Sequence, residues 1–450
     1  MHSTQFFNPD IETRPRRDLE ALIDERIAYT MSYAAEHSPF YRSFFRQKNI
    51  RPNEIRTHED LIELPIISGQ VMRENQPPIT REFMFQSHDW SGIYTIHETS
   101  GTSGTPKSFF LTWADWKRYA EKYARAFVSQ GFSESDRLII CASYGMNVGA
   151  NTMTLAARDI GMTIIPTGKC TFPIRLITAY QPTGIVGSVF KFIRLARRMK
   201  AEGLNPADSS IERLVIGGES FAEESRRYIE ELYDCKAYNT YGSTEGTMCG
   251  ECHAVSGLHV PEDTVHMDIY DPVRHHYVRD GDPGHIDLTT LLKPGEKCGT
   301  LLINYDTDDT TSVISRDKCV CGRTHMRIQN PWREGDSTHI YDIALTRIDI
   351  ERAVFQPENM SYLTGEYEAF IYGEEENEIT LRISVESENI EQNSEREIRE
   401  TITKNLLSSV PGLRNVYDDK MVQILINIVG PGALELYHIR GRPKRLVDRR

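Results

Sequence analysis

No apolar run in this 450-residue chain approaches the roughly eighteen residues that a membrane-spanning helix needs. The opening residues Met1-His2-Ser3-Thr4-Gln5 lack the basic start and apolar core of a secretory leader, so a cytoplasmic protein is expected. Cations are in deficit, with 52 basic residues against 65 acidic ones and a net charge of −13. Only the tail from Arg440 to Arg450 is basic, which disfavours duplex nucleic acid as a partner. Cysteine is sparse for a chain of this length. Eight residues without a leader argue against a disulfide framework and toward thiol or metal chemistry. Internal repeats and long low-complexity tracts are also missing. What remains, 39% hydrophobic and 26% charged residues, is the composition of a globular protein, long enough for two or three domains.

Organisation along the chain follows from the periodicity. Leu19 to Glu36 reads as an amphipathic helix, and a proline-bearing linker with Pro65 and Pro77-Pro78 follows. A helix from Trp113 to Gln130 is expected, with Thr112 as its cap. Leu138–Cys141, Thr163–Pro166, Gly184–Gly187 and Leu214–Gly217 are short apolar runs of the buried-strand kind, with helices between them. That alternation predicts an α/β fold with a parallel-rich sheet, and ligands at the strand ends where the glycines fall. Beyond about residue 335 the texture changes. Helices at Ile348–Phe355 and Ile390–Leu407, with strands at Ala369–Tyr372, Ile379–Val385 and Val422–Ile428, predict a separate small α+β domain. The expected boundaries are therefore 1–335 and 336–450.

The most informative segment is Thr99-Ser100-Gly101-Thr102-Ser103-Gly104-Thr105-Pro106-Lys107. Glycines let backbone N–H groups converge, hydroxyls add donors, and a lysine closes the run, which suits the oxygens of a polyphosphate. It is not the P-loop, whose Gly-Lys pair opens a helix. Here Ser108-Phe109-Phe110-Leu111 reads as a strand, so a hairpin-like loop is expected.

Three further motifs follow in order. Gly217-Gly218-Glu219-Ser220 is a turn at a strand end, able to meet a flat heterocycle. Tyr241-Gly242-Ser243-Thr244-Glu245 offers an aromatic face, two hydroxyls and a carboxylate suited to Mg²⁺ beside phosphate. Tyr305-Asp306-Thr307-Asp308-Asp309 could set a carboxylate on ribose hydroxyls. With His37-Ser38-Pro39-Phe40-Tyr41, the cysteine segment Cys319–His325 and the closing run Gly441–Arg450, the chain resembles the adenylate-forming superfamily, in its phenylacetate–CoA ligase-like branch, over nearly its whole length.

The resemblance implies a large N-terminal domain and a small mobile C-terminal one. It also implies attack of a carboxylate on the α-phosphate of ATP, giving acyl-adenylate and pyrophosphate. By position, Ser100, Gly101, Thr102, Ser103, Gly104 and Lys107 would hold the β,γ-phosphates. Gly218 and Glu219 would border the adenine with Tyr241 stacked near it, and Gly242 and Ser243 belong to the same nucleotide-binding stretch. Thr244 would meet the α-phosphate, Glu245 the Mg²⁺, and Asp309 the ribose with Arg333 close by. Asp336 would mark the hinge.

Cys252-x6-His259 and Cys319-x-Cys321 supply four soft ligands in two pairs, as structural zinc prefers, with His253 and His325 as alternative ligands. The acid is expected beside the loop of Tyr144 and Gly145 and the turn of Phe190. Two departures from the family stand out. The terminal Gly-Lys is replaced by Gly441-Arg442-Pro443-Lys444, leaving Arg442 or Lys444 as the catalytic cation. The segment Thr338–Leu345 also lacks the glycine expected near a pantetheine tunnel. The leading expectation is an ATP-dependent ligase joining an aryl or other small carboxylic acid to CoA. A non-CoA acceptor is the alternative, whether an amine, a carrier or the activation of an oxyanion such as nitrite. A catalytically weak binding module is the remote one. No membrane partner is expected, and a homodimer is the assembly considered.

Overall fold

The computed structural model describes residues 5–99, 104–168, 173–333, 337–373, 379–388, 392–439 and 442–450. The expected site residues Ser100, Gly101, Thr102, Ser103 and Asp336 lie outside these, as does the side chain of Arg442.

Apolar runs bounded by glycine form the centre of a nine-stranded sheet. Arg137–Ile140, Thr163–Pro166, Gly184–Gly187, Arg213–Gly217 and Lys236–Gly242 pair in parallel, as the strand–helix alternation predicts. Helices cover both faces of such strands, which is why their residues are apolar in succession rather than alternately. The sheet then changes character. Met248–Glu251, Leu258–His259, Arg327–Ile328 and Val313–Ser315 extend it in antiparallel fashion.

A second, five-stranded antiparallel sheet had no clear signal in the sequence. It is built from His276–Tyr277, Val265–Asp271, Gly284–Thr290, Tyr305–Thr311 and Trp332–Arg333. Its strands are rich in Asp, Thr and His, so their apolar alternation is diluted. The helix Trp113–Ser129 lies against the first sheet, capped by a Thr112/Asp115 capping box that satisfies its orphan N–H groups.

Residues from 337 onward carry a four-stranded sheet in the order Val422–Val429, Ile379–Ser387, Leu363–Gly373, Leu446–Asp448. The strand expected last, at Val422, is not last. Leu446–Asp448 pairs in parallel with Ala369–Ile371 at the sheet edge. The apolar cluster of this unit is continuous with that of the helix Val189–Ala201: Phe190, Ile193, Phe355, Tyr367 and Leu446 share one core.

Ion pairs frame that contact. Glu366 receives Arg194 at 2.5 and 3.0 Å from one side and the buried Arg445 at 2.7 Å from the other. Buried Glu351 accepts the backbone N–H of Ala222 and the Tyr367 hydroxyl, and pairs in charge with the Arg347 guanidinium at 3.3 Å.

Candidate active site

The glycine-rich segment closes a true hairpin, with Thr95–Glu98 in register against Ser108–Leu111 from Thr95↔Leu111 to Glu98↔Ser108. Mutual hydrogen bonds between Thr99 and Lys107 pinch its base. The Thr99 N–H donates to the Lys107 carbonyl, and the Lys107 N–H donates to the Thr99 hydroxyl, both at 3.0 Å. The short helix Gly69–Glu74 braces the loop from outside. Arg73 donates to the Thr105 carbonyl at 3.2 Å, and Gln76 just beyond the helix bridges Pro106 and Ser108. Neither Arg73 nor Gln76 stood out in the sequence. Their signal is a polar, Ser68-capped turn far from the motif it serves.

Lys107 is buried and turns inward. Its ammonium lies 2.9 Å from the carboxylate of Glu245, hydrogen-bonds the Tyr305 hydroxyl, and sits 5.0 Å from the Tyr305 ring centroid. The pair joins two motifs that are far apart in the chain. Burial alone would raise the Glu245 carboxyl pKa. The Lys107 charge and hydrogen bond outweigh it and hold the group below its ordinary value, so Glu245 is anionic at neutral pH. Tyr305 was quoted only as the head of its aspartate motif, yet it is fully buried and completes the lysine's surroundings.

Asp309 is gripped from two sides. The Tyr241 hydroxyl donates to one oxygen at 2.6 Å and Arg333 to the other at 2.5 Å. The strand register Asp309↔Arg333 makes the second contact. Burial raises the Tyr241 phenol well above its usual range and Asp309 raises it further, so the hydroxyl remains a donor. Burial disfavours the Arg333 charge, Asp309 more than compensates, and its pKa rises.

The strand end Tyr241–Gly242 turns back at Gly246, whose φ of +98° and closeness to Tyr119 admit no side chain. The buried Lys122 ammonium holds the Gly246 carbonyl at 2.7 Å from behind. Within this turn Thr244 is half-buried, and the Ser243 hydroxyl is buried with no protein partner among the described residues. Gly218 adopts φ +81° with open space where a Cβ would stand. Next to it, one Glu219 oxygen is buried without a described partner and the other faces Arg347 at 3.5 Å. Orphaned polar atoms and an open glycine edge around one wall fit a polar, flat ligand carrying phosphates.

The Tyr144 loop abuts this wall. The Met146 carbonyl meets His97 Nδ1, on the hairpin's first strand, at 3.1 Å. Tyr144 is half-buried with its hydroxyl on Thr154, and Gly145 is exposed. Phe190, expected beside the acid, is instead a packing residue. It is buried with the Arg445 guanidinium 3.5 Å from its ring centroid, because the second residue of its helix faces the C-terminal sheet. Lys444 is half-buried, its backbone N–H bonded to the Tyr437 carbonyl. No described contact places its side chain at Glu245.

Cys252, His259, Cys319 and Cys321 converge, all buried, with their ligand atoms within 4.8 Å of one another. The Cys252–Cys319 sulfurs are 3.9 Å apart and Cys321 lies 3.6 Å from His259 Nε2. A tetrahedral zinc with bonds of about 2.3 Å to sulfur and about 2.0 Å to nitrogen has ligand edges of roughly 3.8 and 3.5 Å, so the quartet is the right size. The alternative His325 is spent: its Nδ1 accepts the Glu262 N–H and its Nε2 meets the Ile11 carbonyl. His253 is outside the quartet.

Comparison with known proteins gives a consistent picture. The family model for AMP-binding enzymes matches residues 40–288. A phenylacetate–coenzyme A ligase of Thermus thermophilus is 29% identical over 72% of this chain and 72% of its own. One from Aromatoleum evansii is 26% identical over 98% and 96%. A 2-hydroxyisobutyryl-CoA ligase in its postadenylation state superposes with a TM-score of 0.85 at 22% identity, covering 100% of this chain and 93% of the other. Against the thioesterification state of that protein the TM-score is 0.68. At such identity the likeness is one of fold. The family match takes in the hairpin loop, the Gly218 turn and the Tyr241–Glu245 strand end, and the chain belongs to the AMP-binding enzymes, the adenylate-forming superfamily.

Proposed function

We propose that this AMP-forming ligase activates a small carboxylic acid as its acyl-adenylate and passes the acyl group to CoA. The observation that carries the reading is the buried Lys107–Glu245 pair, which unites the phosphate loop with the Tyr241–Glu245 turn at 2.9 Å. In this reading Lys107 and the loop receive the β,γ-phosphates and Thr244 the α-phosphate. Asp309, oriented by Tyr241 and Arg333, takes the ribose, and Gly218 and Glu219 border the adenine. A Mg²⁺ held by Glu245 would neutralise phosphate charge as the carboxylate attacks. The quartet of Cys252, His259, Cys319 and Cys321 would hold a structural zinc that fastens the loop at Cys319 to the large sheet. The acid would sit at the Tyr144–Gly145 loop, against the hairpin. The chain would divide near Asp336, and Arg442 or Lys444 would reach the adenylate only when the C-terminal unit presents it. Phenylacetate–CoA ligases among the relatives support CoA as acceptor and an aryl acid as substrate.

The test is product mass from full-length enzyme, ATP and a panel of aryl and short aliphatic acids, with and without CoA. A CoA thioester formed only when all components are present is the expected product. An N-acyl product with an added amine, and none with CoA, would replace the acceptor. Elemental analysis should return one zinc per chain, and none in chelator-free protein would remove the metal from the account.

A further inference from the structure

The geometry points to a second metal position, remote from the cysteine quartet, formed by His58, His266 and Asp268. We propose that these three side chains bind a divalent first-row transition ion such as zinc. His266 and Asp268 alternate on the strand Val265–Asp271, so both project from the same face of the five-stranded sheet. His58 opens the short helix His58–Leu61, whose Thr57/Asp60 capping box fixes its first turn, and the His58 N–H is held by Asp24 at 3.3 Å. The two imidazoles address one atom. His58 Nε2 lies 3.1 Å and His266 Nε2 2.8 Å from Asp268 Oδ2, and the three ligand atoms lie within 4.8 Å of one another. The ring planes are inclined at 56°, so the rings converge on that oxygen rather than stack.

A tetrahedral ion with bonds of about 2.0 Å to nitrogen and oxygen requires ligand edges of roughly 3.3 Å. The nitrogen–oxygen distances of 3.1 and 2.8 Å are shorter than that, so side-chain rotations that part His58 and His266 from Asp268 open the position. Two imidazoles and one carboxylate are a donor set matched to zinc, copper or nickel rather than to calcium or magnesium. A fourth ligand can come from water, because the His58 side chain is 41% exposed while His266 and Asp268 are 13% and 12% exposed. Directly across the sheet from Asp268 stands Asp287, buried, with its Oδ1 lacking a partner among the described residues. Arg316, whose charge is felt at His58, is engaged by Asp280.

The position bears on the nucleotide wall through one short relay. The Leu61 carbonyl at the end of the His58 helix accepts Asn304 Nδ2 at 2.7 Å, and the next residue, Tyr305, holds Lys107. An ion here would fasten that helix to the sheet beside Tyr305.

The experiment is isothermal titration of full-length protein with ZnCl₂ after its resident metal has been counted by elemental analysis. We expect one further equivalent of zinc beyond the cysteine quartet. Its affinity should fall on the order of 10-fold or more in His58→Ala and His266→Ala, and stay unchanged in His276→Ala, an exposed histidine on the same sheet. The absence of a further equivalent, or binding undiminished by His58→Ala, overturns the proposal. Because His58 is half-exposed and its helix is capped by Thr57, His58→Ala decides the matter even if His266→Ala does not fold.

Discussion

Two clusters of basic residues in this molecule have opposite designs. At the proposed nucleotide wall, Lys107 and Arg333 are paired with Glu245 and Asp309, and the neighbouring Ser243 and Glu219 keep buried polar atoms unmatched among the described residues. In the terminal run, Arg445 is wholly absorbed. It bonds Glu366 and the Tyr367 carbonyl and covers Phe190, leaving nothing unsatisfied for a ligand. Lys444, one residue earlier, stays half-buried. Arg445 is buried in the bend before the edge strand while Lys444 is only half-buried, so it is Arg445 that stabilises the unit. Basic character in a sequence does not separate these roles; satisfaction of hydrogen bonds does.

The comparison breaks hardest at Glu245. Glu245→Ala should lower acid-dependent ATP–pyrophosphate exchange on the order of 10²- to 10³-fold while thermal unfolding stays cooperative, and full exchange in the variant would remove Glu245 from the wall. At the other cluster, Arg445→Met leaves Glu366 facing Arg194 alone and uncovers Phe190. A loss of about 3–5 kcal/mol in denaturant unfolding is expected, whereas Lys444→Ala should stay within about 0.5 kcal/mol. Equal losses in the two variants would mean that the tail is not divided as described. If Lys444 is the catalytic cation, its variant loses exchange activity without losing stability, and comparison with Arg442→Ala separates the two candidates.

The smallest effect is one of pH. The Glu245 carboxyl lies below its ordinary 4.5 because Lys107 outweighs burial. The stability it contributes is present above that value and lost as pH falls through the lower folded one. In Lys107→Met burial is opposed only by the backbone N–H of Glu245 and the Arg333 charge, so the folded carboxyl pKa rises and the acid limb of unfolding should move to higher pH. An unmoved limb would show that the pair does not set the titration.

Much of the local structure around the proposed nucleotide site was legible because each part is local. The strands that flank the glycine-rich segment, the strand end at Tyr241 and the glycine turn at Gly218 are short segments whose residue types dictate their backbone. The parallel strands at Gly184–Gly187 and Arg213–Gly217 were equally plain, since burial on both faces leaves continuous apolar runs. What escaped is non-local. Arg73 and Gln76 act on a loop some thirty residues away. The antiparallel sheet carrying Asp309 spends its alternation on Asp, Thr and His rather than on apolar residues. Phe190 was expected beside the acid, and its packing emerges only when the C-terminal sheet is set against it. The edge strand Leu446–Asp448 is too short and too charged to show a period.

The most direct test of the central claim follows an oxygen atom. If the carboxylate attacks the α-phosphate, acid labelled with ¹⁸O in its carboxyl group must leave one label in the AMP released after acyl transfer. The account predicts AMP carrying a single ¹⁸O, with unlabelled pyrophosphate. Unlabelled AMP, or label in inorganic phosphate with ADP as co-product, would contradict it.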